Sequence, residues 1–365
     1  MPLQLGLVGL PNVGKSTLFN ALTKAGAEVA NYPFTTIAPN VGMAVVPDPR
    51  LQRIAEIIGP ERVVPAAFQV VDVAGLVKGA SQGEGLGNQF LSHVRTVDAI
   101  AMVVRCFEAG DVPHVTPYLD PVEDIETIQL ELVLADLAVL ERHLERVQTQ
   151  AKAHPRDYEA EMATIEAVLE GLRAGRLVRG MDLDEHQRGY LADVALLTTK
   201  PTLYVANVDE DQLPDGGEMV AAVRARAATE GAEVVVLSAQ IESDLTEWEP
   251  EEALAYLRDL GLEAPALDRF IWASYHLLDY ITFFTTTGGK EVRAWTLQRG
   301  ETALHAAGTI HSDMAKGFIR AEVVSYEDLD AAGSIARARE AGKLRLEGRE
   351  YVVQDGDVIH IRFAV

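Results

Sequence analysis

An α/β fold is predicted for this chain of 365 residues: a mostly parallel sheet with helices on both faces, an inserted antiparallel coiled-coil hairpin, and a small α+β domain after it. Three observations carry that reading. Short, apolar, β-branched runs alternate with helical patterns in the first part of the chain and again after residue 200, as strands covered on both faces require. The alternation stops between residues 120 and 199, where apolar residues recur at steps of three and four. From about Ile281, short strand-like runs are separated by tight-turn signals.

The elements follow in order. Leu3-Gln4-Leu5-Gly6-Leu7-Val8 reads as a buried strand, and Thr17-Leu18-Phe19-Asn20-Ala21-Leu22 as a helix. Between them lies Gly9-Leu10-Pro11-Asn12-Val13-Gly14-Lys15-Ser16, a complete phosphate-binding P-loop in its strand–loop–helix context. The glycines let backbone N–H groups from Asn12, Val13, Gly14, Lys15, Ser16 and Thr17 curl around phosphate oxygens, and the helix N-terminus adds partial positive charge. Lys15 is placed to reach the β- and γ-phosphates, and the Ser16 hydroxyl to bind magnesium. Further strands are predicted at Phe68-Gln69-Val70-Val71-Asp72-Val73, Ala99-Ile100-Ala101-Met102-Val103-Val104, Thr202-Leu203-Tyr204-Val205-Ala206 and Glu233-Val234-Val235-Val236-Leu237. Ligands of such sheets bind at the carboxyl ends of the strands.

In the insertion, Leu130, Val133, Leu137, Leu140, Leu144 and Val147 form one apolar seam, and Tyr158, Met162, Ile165, Leu169 and Leu172 a second. The turn His154-Pro155-Arg156-Asp157 lets the two helices meet only by folding back on each other. Arg142, Arg146, Lys152 and Arg156 gather near the tip. They read first as a solvated face and second as a partner-contacting arm. In the last part, Thr282-Phe283-Phe284-Thr285-Thr286, Val292-Arg293-Ala294-Trp295-Thr296-Leu297, Glu350-Tyr351-Val352-Val353 and Val358-Ile359-His360-Ile361-Arg362-Phe363 are predicted strands, with turns at Thr287-Gly288-Gly289 and Gln354-Asp355-Gly356-Asp357. The expected division is residues 1–119 with 200–280, the insertion 120–199, and 281–365.

Size and composition set the bounds. Hydrophobic residues make up 48% and charged residues 24%, values of a soluble globular protein. The longest apolar run is too short to span a bilayer. No basic stretch precedes the first strand, so it does not read as a signal peptide, and no membrane association is expected. The single cysteine, Cys106, fits a reducing cytoplasm. A net charge of −23 disfavours broad nucleic-acid binding and excludes DNA as an expected partner. That charge is uneven: residues 281–365 hold 11 basic and 12 acidic side chains, leaving −22 on the first 280. The C-terminal part alone can approach a polyanion without strong repulsion. A monomer is expected.

The residues beyond the P-loop narrow the chemistry. Asp72-Val73-Ala74-Gly75 ends a strand, with Asp72 placed to hold magnesium through water and the Gly75 N–H placed to bond a γ-phosphate. Asn31-Tyr32-Pro33-Phe34-Thr35-Thr36 lies where a switch threonine belongs. Thr36 is the expected second hydroxyl on magnesium, with Thr35 its near competitor. The glycine-rich string from Lys78 to Gly87 reads as a loop that orders against a γ-phosphate and loosens after hydrolysis. Guanine-binding relatives place Asn-Lys-x-Asp after a strand; here the string is Asn207-Val208-Asp209-Glu210. Guanine needs a carboxylate to accept from N1–H and the exocyclic amine, whereas adenine N1 is itself an acceptor. Asn207 and the Val208 carbonyl are expected to receive the adenine amino group, and Ser238-Ala239-Gln240 to line the base pocket, so ATP is preferred over GTP. Leu76 stands where many relatives carry a water-orienting glutamine, so intrinsic turnover should be slow.

These strings, in this order and over nearly the whole length, resemble the YchF, or Obg-like ATPase, family of translation-factor-class P-loop proteins. The resemblance implies ATP hydrolysis to ADP, magnesium, association with the ribosome or its RNA, and a C-terminal TGS-like domain. It also implies a water-positioning role for His114, which the residues alone present as a surface loop histidine. Asn12 matches a P-loop position that holds potassium in some relatives, or else braces the loop. Two readings follow: a slow ATPase whose nucleotide state switches its affinity for a translational partner, or a nucleotide-stabilised binding scaffold with incidental turnover.

Overall fold

The computed structural model describes residues 4–27, 40–73, 86–108 and 118–364. The chain begins with β1 (Gln4–Val8), α1 (Lys15–Ala27), β2 (Val41–Val45), α2 (Pro49–Ile58), β3 (Arg62–Val64), β4 (Ala67–Asp72), α3 (Leu86–Thr96) and β5 (Ala99–Arg105). The predicted glycine-rich loop ends sooner than expected, since Leu86 and Gly87 already belong to α3. An insertion supplies α4 (Pro121–Ala151), α5 (Glu159–Arg173) and α6 (Glu185–Leu191). The chain returns through β6 (Thr202–Asn207), α7 (Gly217–Ala228), β7 (Val234–Leu237), α8 (Ala239–Leu245), α9 (Pro250–Asp259) and α10 (Ala266–Leu277).

The first sheet has the order β2-β4-β1-β5-β6-β7, parallel except for β2, which runs antiparallel to β4. All seven residues of β5 and all six of β6 are buried, the continuous apolar pattern of strands covered on both faces. From β1 the chain goes to β4 on one side and β5 on the other, so the carboxyl end of β1 is a topological switch point. The register Leu7 to Asp72 sets the ends of β1 and β4 side by side.

The insertion is one long helix with a return. Asp120 caps α4 by accepting from the Val122 and Glu123 N–H groups at 2.9 and 3.2 Å, and Pro121 occupies the first turn, where its missing N–H costs nothing. The two helices reverse at a 3-10 turn, Pro155–Tyr158, and Arg173 bonds Glu141 across them at 2.8 Å. Val133, Leu140 and Val147 pack against Ile165, Leu169 and Leu172 in a core of their own. Leu130 departs from the predicted seam and is 55% exposed. Near its start α4 serves the sheet instead, through Ile125, Ile128, Leu132 and Ala135. Residue 130 is two positions, about 200°, from both Ile128 and Leu132 and therefore faces away. Asp136, fully buried, clamps the return by accepting from the Leu197 and Thr198 N–H groups, both at 2.8 Å, and from the Thr198 hydroxyl at 2.7 Å.

The last part holds β8 (Tyr280–Thr287), β9 (Glu291–Gln298), α11 (Ala303–Ile310), α12 (Ser312–Lys316), β10 (Phe318–Ser325), α13 (Tyr326–Ala332), α14 (Ile335–Glu340), β11 (Arg345–Glu347) and β12 (Asp357–Phe363). Their sheet has the order β11-β10-β12-β8-β9-β3. Three expectations change here. Glu350–Val353 is not a strand and contributes only an isolated bridge from Val352 to Thr302, because a turn from Gly348 and the bond of the Tyr351 hydroxyl to Asp357 at 2.8 Å bend it. The strand β10 was not expected: Arg320 and Glu322 interrupt its apolar pattern, and Glu322 is buried because Arg362 and Arg339 pair with it. The edge strand β3 comes from residues expected to belong wholly to the first unit; it pairs parallel with β9, Arg62 opposite Glu291. Arg50 of α2 adds ion pairs to Asp48 and Asp355, both at 2.7 Å, and Arg53 bonds Asp330 at 2.7 Å. The stretch between the two predicted switch segments is thus bonded to the C-terminal sheet. Among the described residues, no helix is long and apolar enough to cross a membrane.

Candidate functional site

The loop from Gly9 to Gly14 leaves the buried end of β1 and turns directly into α1, whose first intrahelical bond runs from the Leu18 N–H to the Gly14 carbonyl at 3.0 Å. Asn12 sits at φ +63° and Gly14 at φ +89°, left-handed conformations that curl the backbone. A Cβ on Gly14 would lie 2.2 Å from the Asn207 amide nitrogen, so glycine is demanded by space as well as by φ. The N–H groups of the first turn have no acceptors within their helix and point out of its end. Val13 and Lys15 are buried; Ser16 is exposed at the mouth and Thr17 half-buried behind it.

Three predicted residues converge at this mouth. Lys15 forms a short ion pair with Asp72 Oδ1, and the Ser16 hydroxyl lies 3.3 Å from Asp72 Oδ2. The parallel register of β1 and β4 produces this meeting, since Asp72 is the last residue of its strand and faces the loop that leaves the neighbouring one. The result is one hydroxyl and one carboxylate as adjacent hard oxygen donors, with an ammonium beside them. Thr36, Gly75, Leu76 and His114 lie outside the described residues.

The base end is assembled from more distant segments. Asn207, at the end of β6, is buried; its Nδ2 donates to the Val13 carbonyl at 2.8 Å and its Oδ1 accepts from the Ala239 N–H at 2.9 Å. Its amide therefore ties the P-loop to the start of α8. In this arrangement the Asn207 side chain braces the loop. Val208 is buried and its N–H bonds the Leu237 carbonyl at 2.9 Å, while Ser238 is the buried N-cap of α8. Beside them is a cavity of about 230 Å³ lined by Asp209, Glu210, Ser238, Gln240, Trp248 and Tyr256. The Asp209 carboxyl is pushed above the usual carboxylate range by burial and by neighbouring Asp211. Below the cavity, Glu242 of α8 caps α10 by accepting from the Ala266 N–H at 2.8 Å, and burial raises its carboxyl to about 7. Trp248 and Tyr256 were not singled out in the sequence; the only signal is a pair of aromatics eight residues apart, which a core also produces.

Comparison with known proteins then decides the family. A protein named ribosome-binding ATPase YchF from Bacillus subtilis (strain 168) is 54% identical to this chain over 367 residues, covering 100% of both. This chain belongs to the YchF family. The ribosome-binding ATPase YchF of Escherichia coli O157:H7 is 50% identical over 365 residues, again covering 100% of both. The structure of the Schizosaccharomyces pombe YchF GTPase superposes with a TM-score of 0.89 at 37% identity, covering 99% of this chain and 98% of that one. Family models agree by region. One described as a 50S ribosome-binding GTPase matches residues 4–155, and the YchF C-terminal model, described as a protein of unknown function, matches residues 280–364. Membership and the P-loop together make this YchF-family chain a nucleoside-triphosphate hydrolase. None of these comparisons adds support for potassium at Asn12.

Proposed function

We propose that this chain is a slow, magnesium-dependent ATPase of the cytoplasm that works as a nucleotide-controlled switch on the ribosome. The observation that carries the phosphate chemistry is the convergence of Lys15, Ser16 and Asp72 where β1 and β4 end side by side. Ribosome association rests on the names of the bacterial relatives.

The donor set fits magnesium. It prefers hard oxygens and keeps several water or phosphate ligands, so one hydroxyl and one carboxylate suffice from the protein. Among the described residues, no group of three or more His, Cys, Asp or Glu side chains offers a competing metal cage. Ser16 and Asp72 would hold the ion, with Thr36 as the proposed further hydroxyl. When bound, magnesium neutralises charge developing on the phosphate oxygens.

The chain's own residues do the rest. Lys15 exchanges Asp72 for the β/γ-phosphate oxygens, and N–H groups from Asn12 to Thr17 bind the remaining oxygens. Asn207 keeps the loop in this shape through Val13. Val208 and Ser238 border the base. Gly75 is proposed to sense the γ-phosphate and His114 to orient the attacking water, in place of the glutamine that Leu76 replaces. A core confined to residues 133–196 supports reading residues 120–199 as an insertion, and a core drawn only from Ile281 onward supports 281–365 as a TGS-like domain, while Phe284, Val292 and Val358 join the core of the first unit. The pairing of β3 with the C-terminal sheet, and of Arg50 and Arg53 with Asp355 and Asp330, gives the switch a route to that domain.

ATP turnover measured with and without ribosomes tests the switch. Stimulation by ribosomes, with different ribosome affinities of the ATP and ADP forms, is expected. No stimulation and equal affinities would leave only the scaffold reading. A GTPase reading is favoured by the descriptions of the matching N-terminal model and of the fission-yeast structure; comparative titration of ATP and GTP decides it.

A further inference from the structure

At the base end Glu210 is already engaged. Tyr256 of α9 donates its phenolic O–H to Glu210 Oε1, across 46 residues of chain. Trp248 holds the Tyr256 ring in place by an edge contact, with centroids 5.1 Å apart and planes at 66°. Both rings line the cavity that Ser238 and Gln240 share. On the other side of that cavity Gln240 donates to Asp244 at 3.0 Å, so its amide is engaged as well.

We propose that Tyr256 is a positioning residue for base selection: its hydroxyl holds the Glu210 carboxylate against α9, so that Glu210 does not turn to accept from N1–H and the exocyclic amine of guanine. This deepens the preference for ATP and rests on that reading. Glu210 is one methylene longer than the aspartate of the guanine-binding string, and its carboxylate is engaged by Tyr256. Turning toward a base would break a hydroxyl–carboxylate bond, among the stronger kinds of hydrogen bond. Adenine presents an acceptor at N1 and gains nothing from the carboxylate, so the restraint penalises guanine alone. The edge contact with Trp248 steadies the Tyr256 ring and so favours this placement of Glu210.

The test is direct titration of ATP and GTP with the full chain in four forms: wild type, Tyr256→Phe, Glu210→Ala, and the double variant. Tyr256→Phe keeps the ring and its packing on Trp248. Tyr256→Phe is expected to tighten GTP about ten-fold relative to ATP, and to have no effect on that ratio once Glu210 is alanine. An unchanged ratio in Tyr256→Phe, or equal weakening of both nucleotides, would overturn the positioning role and leave Tyr256 a mere tie between α9 and the loop. A wild type that binds GTP as tightly as ATP would instead overturn the ATP reading itself.

Discussion

Among the described residues, the phosphate end of the cleft is one continuous stretch of chain, residues 9–17, closed by an aspartate from the neighbouring strand. The base end draws on the end of β6, α8, the segment around Trp248, and α9, spread from Asn207 to Tyr256. The first is built largely from backbone: left-handed residues, a helix end, and a glycine with no room for a side chain. The second is built from side chains that hold one another. A backbone cradle tolerates few changes and recognises any triphosphate, whereas a network of side chains can be retuned one hydrogen bond at a time. Triphosphate binding should thus be hard to alter in this chain, and base preference easier.

Substitutions at the two ends should separate accordingly. Lys15→Ala should have the largest effect, lowering affinity for ATP and GTP alike by roughly a hundred-fold or more, because it removes a charged hydrogen-bond donor to the phosphates; equilibrium titration measures this. Asn207 joins the two ends. Asn207→Ala should leave the Val13 carbonyl and Ala239 N–H buried without partners and cost about 2 kcal/mol of stability in urea unfolding, with both nucleotides weakened together. A change in base preference without loss of affinity would instead make Asn207 a base ligand.

Glu242, near the base end, should leave nucleotide binding untouched and show a distinctive pH dependence of stability. Burial, with Asp268 nearby, raises its carboxyl to about 7, while the Ala266 and Leu267 N–H groups and Arg269 oppose the shift. A carboxyl with a raised folded-state pKa binds its proton more tightly folded than unfolded, so its contribution is fully present below the ordinary carboxylate value and is lost as pH rises through about 7. Wild type should therefore lose stability relative to Glu242→Gln between pH 4.5 and 7, by at most about 3 kcal/mol. Parallel curves for the two proteins across that range would remove Glu242 as the source.

What the sequence revealed follows the same division. The P-loop, Asp72 and the strands flanking them were legible because contiguous motifs and apolar runs record local backbone demands. The strand at Phe318–Ser325 was hidden, because Glu322 is buried only by virtue of Arg339 and Arg362. The strand-like run at Glu350–Val353 misled, since a hydrogen bond from Tyr351 to Asp357 outweighed its propensity. Arg62–Val64 carried no mark of its membership in the distant C-terminal sheet. Asn207 was recognised as part of the site, but its bonds to Val13 and Ala239 are tertiary and carry no local mark. Tyr256 went unnoticed for the same reason, because nothing local announces that its hydroxyl ends on Glu210.

The central claim, a general phosphate grip joined to a base end that has given up guanine, is tested most directly by titrating ATP and GTP into the wild-type chain with magnesium under identical conditions. ATP should bind at least about ten-fold more tightly, a difference of one well-formed hydrogen bond or more. GTP binding as tightly as ATP would contradict it.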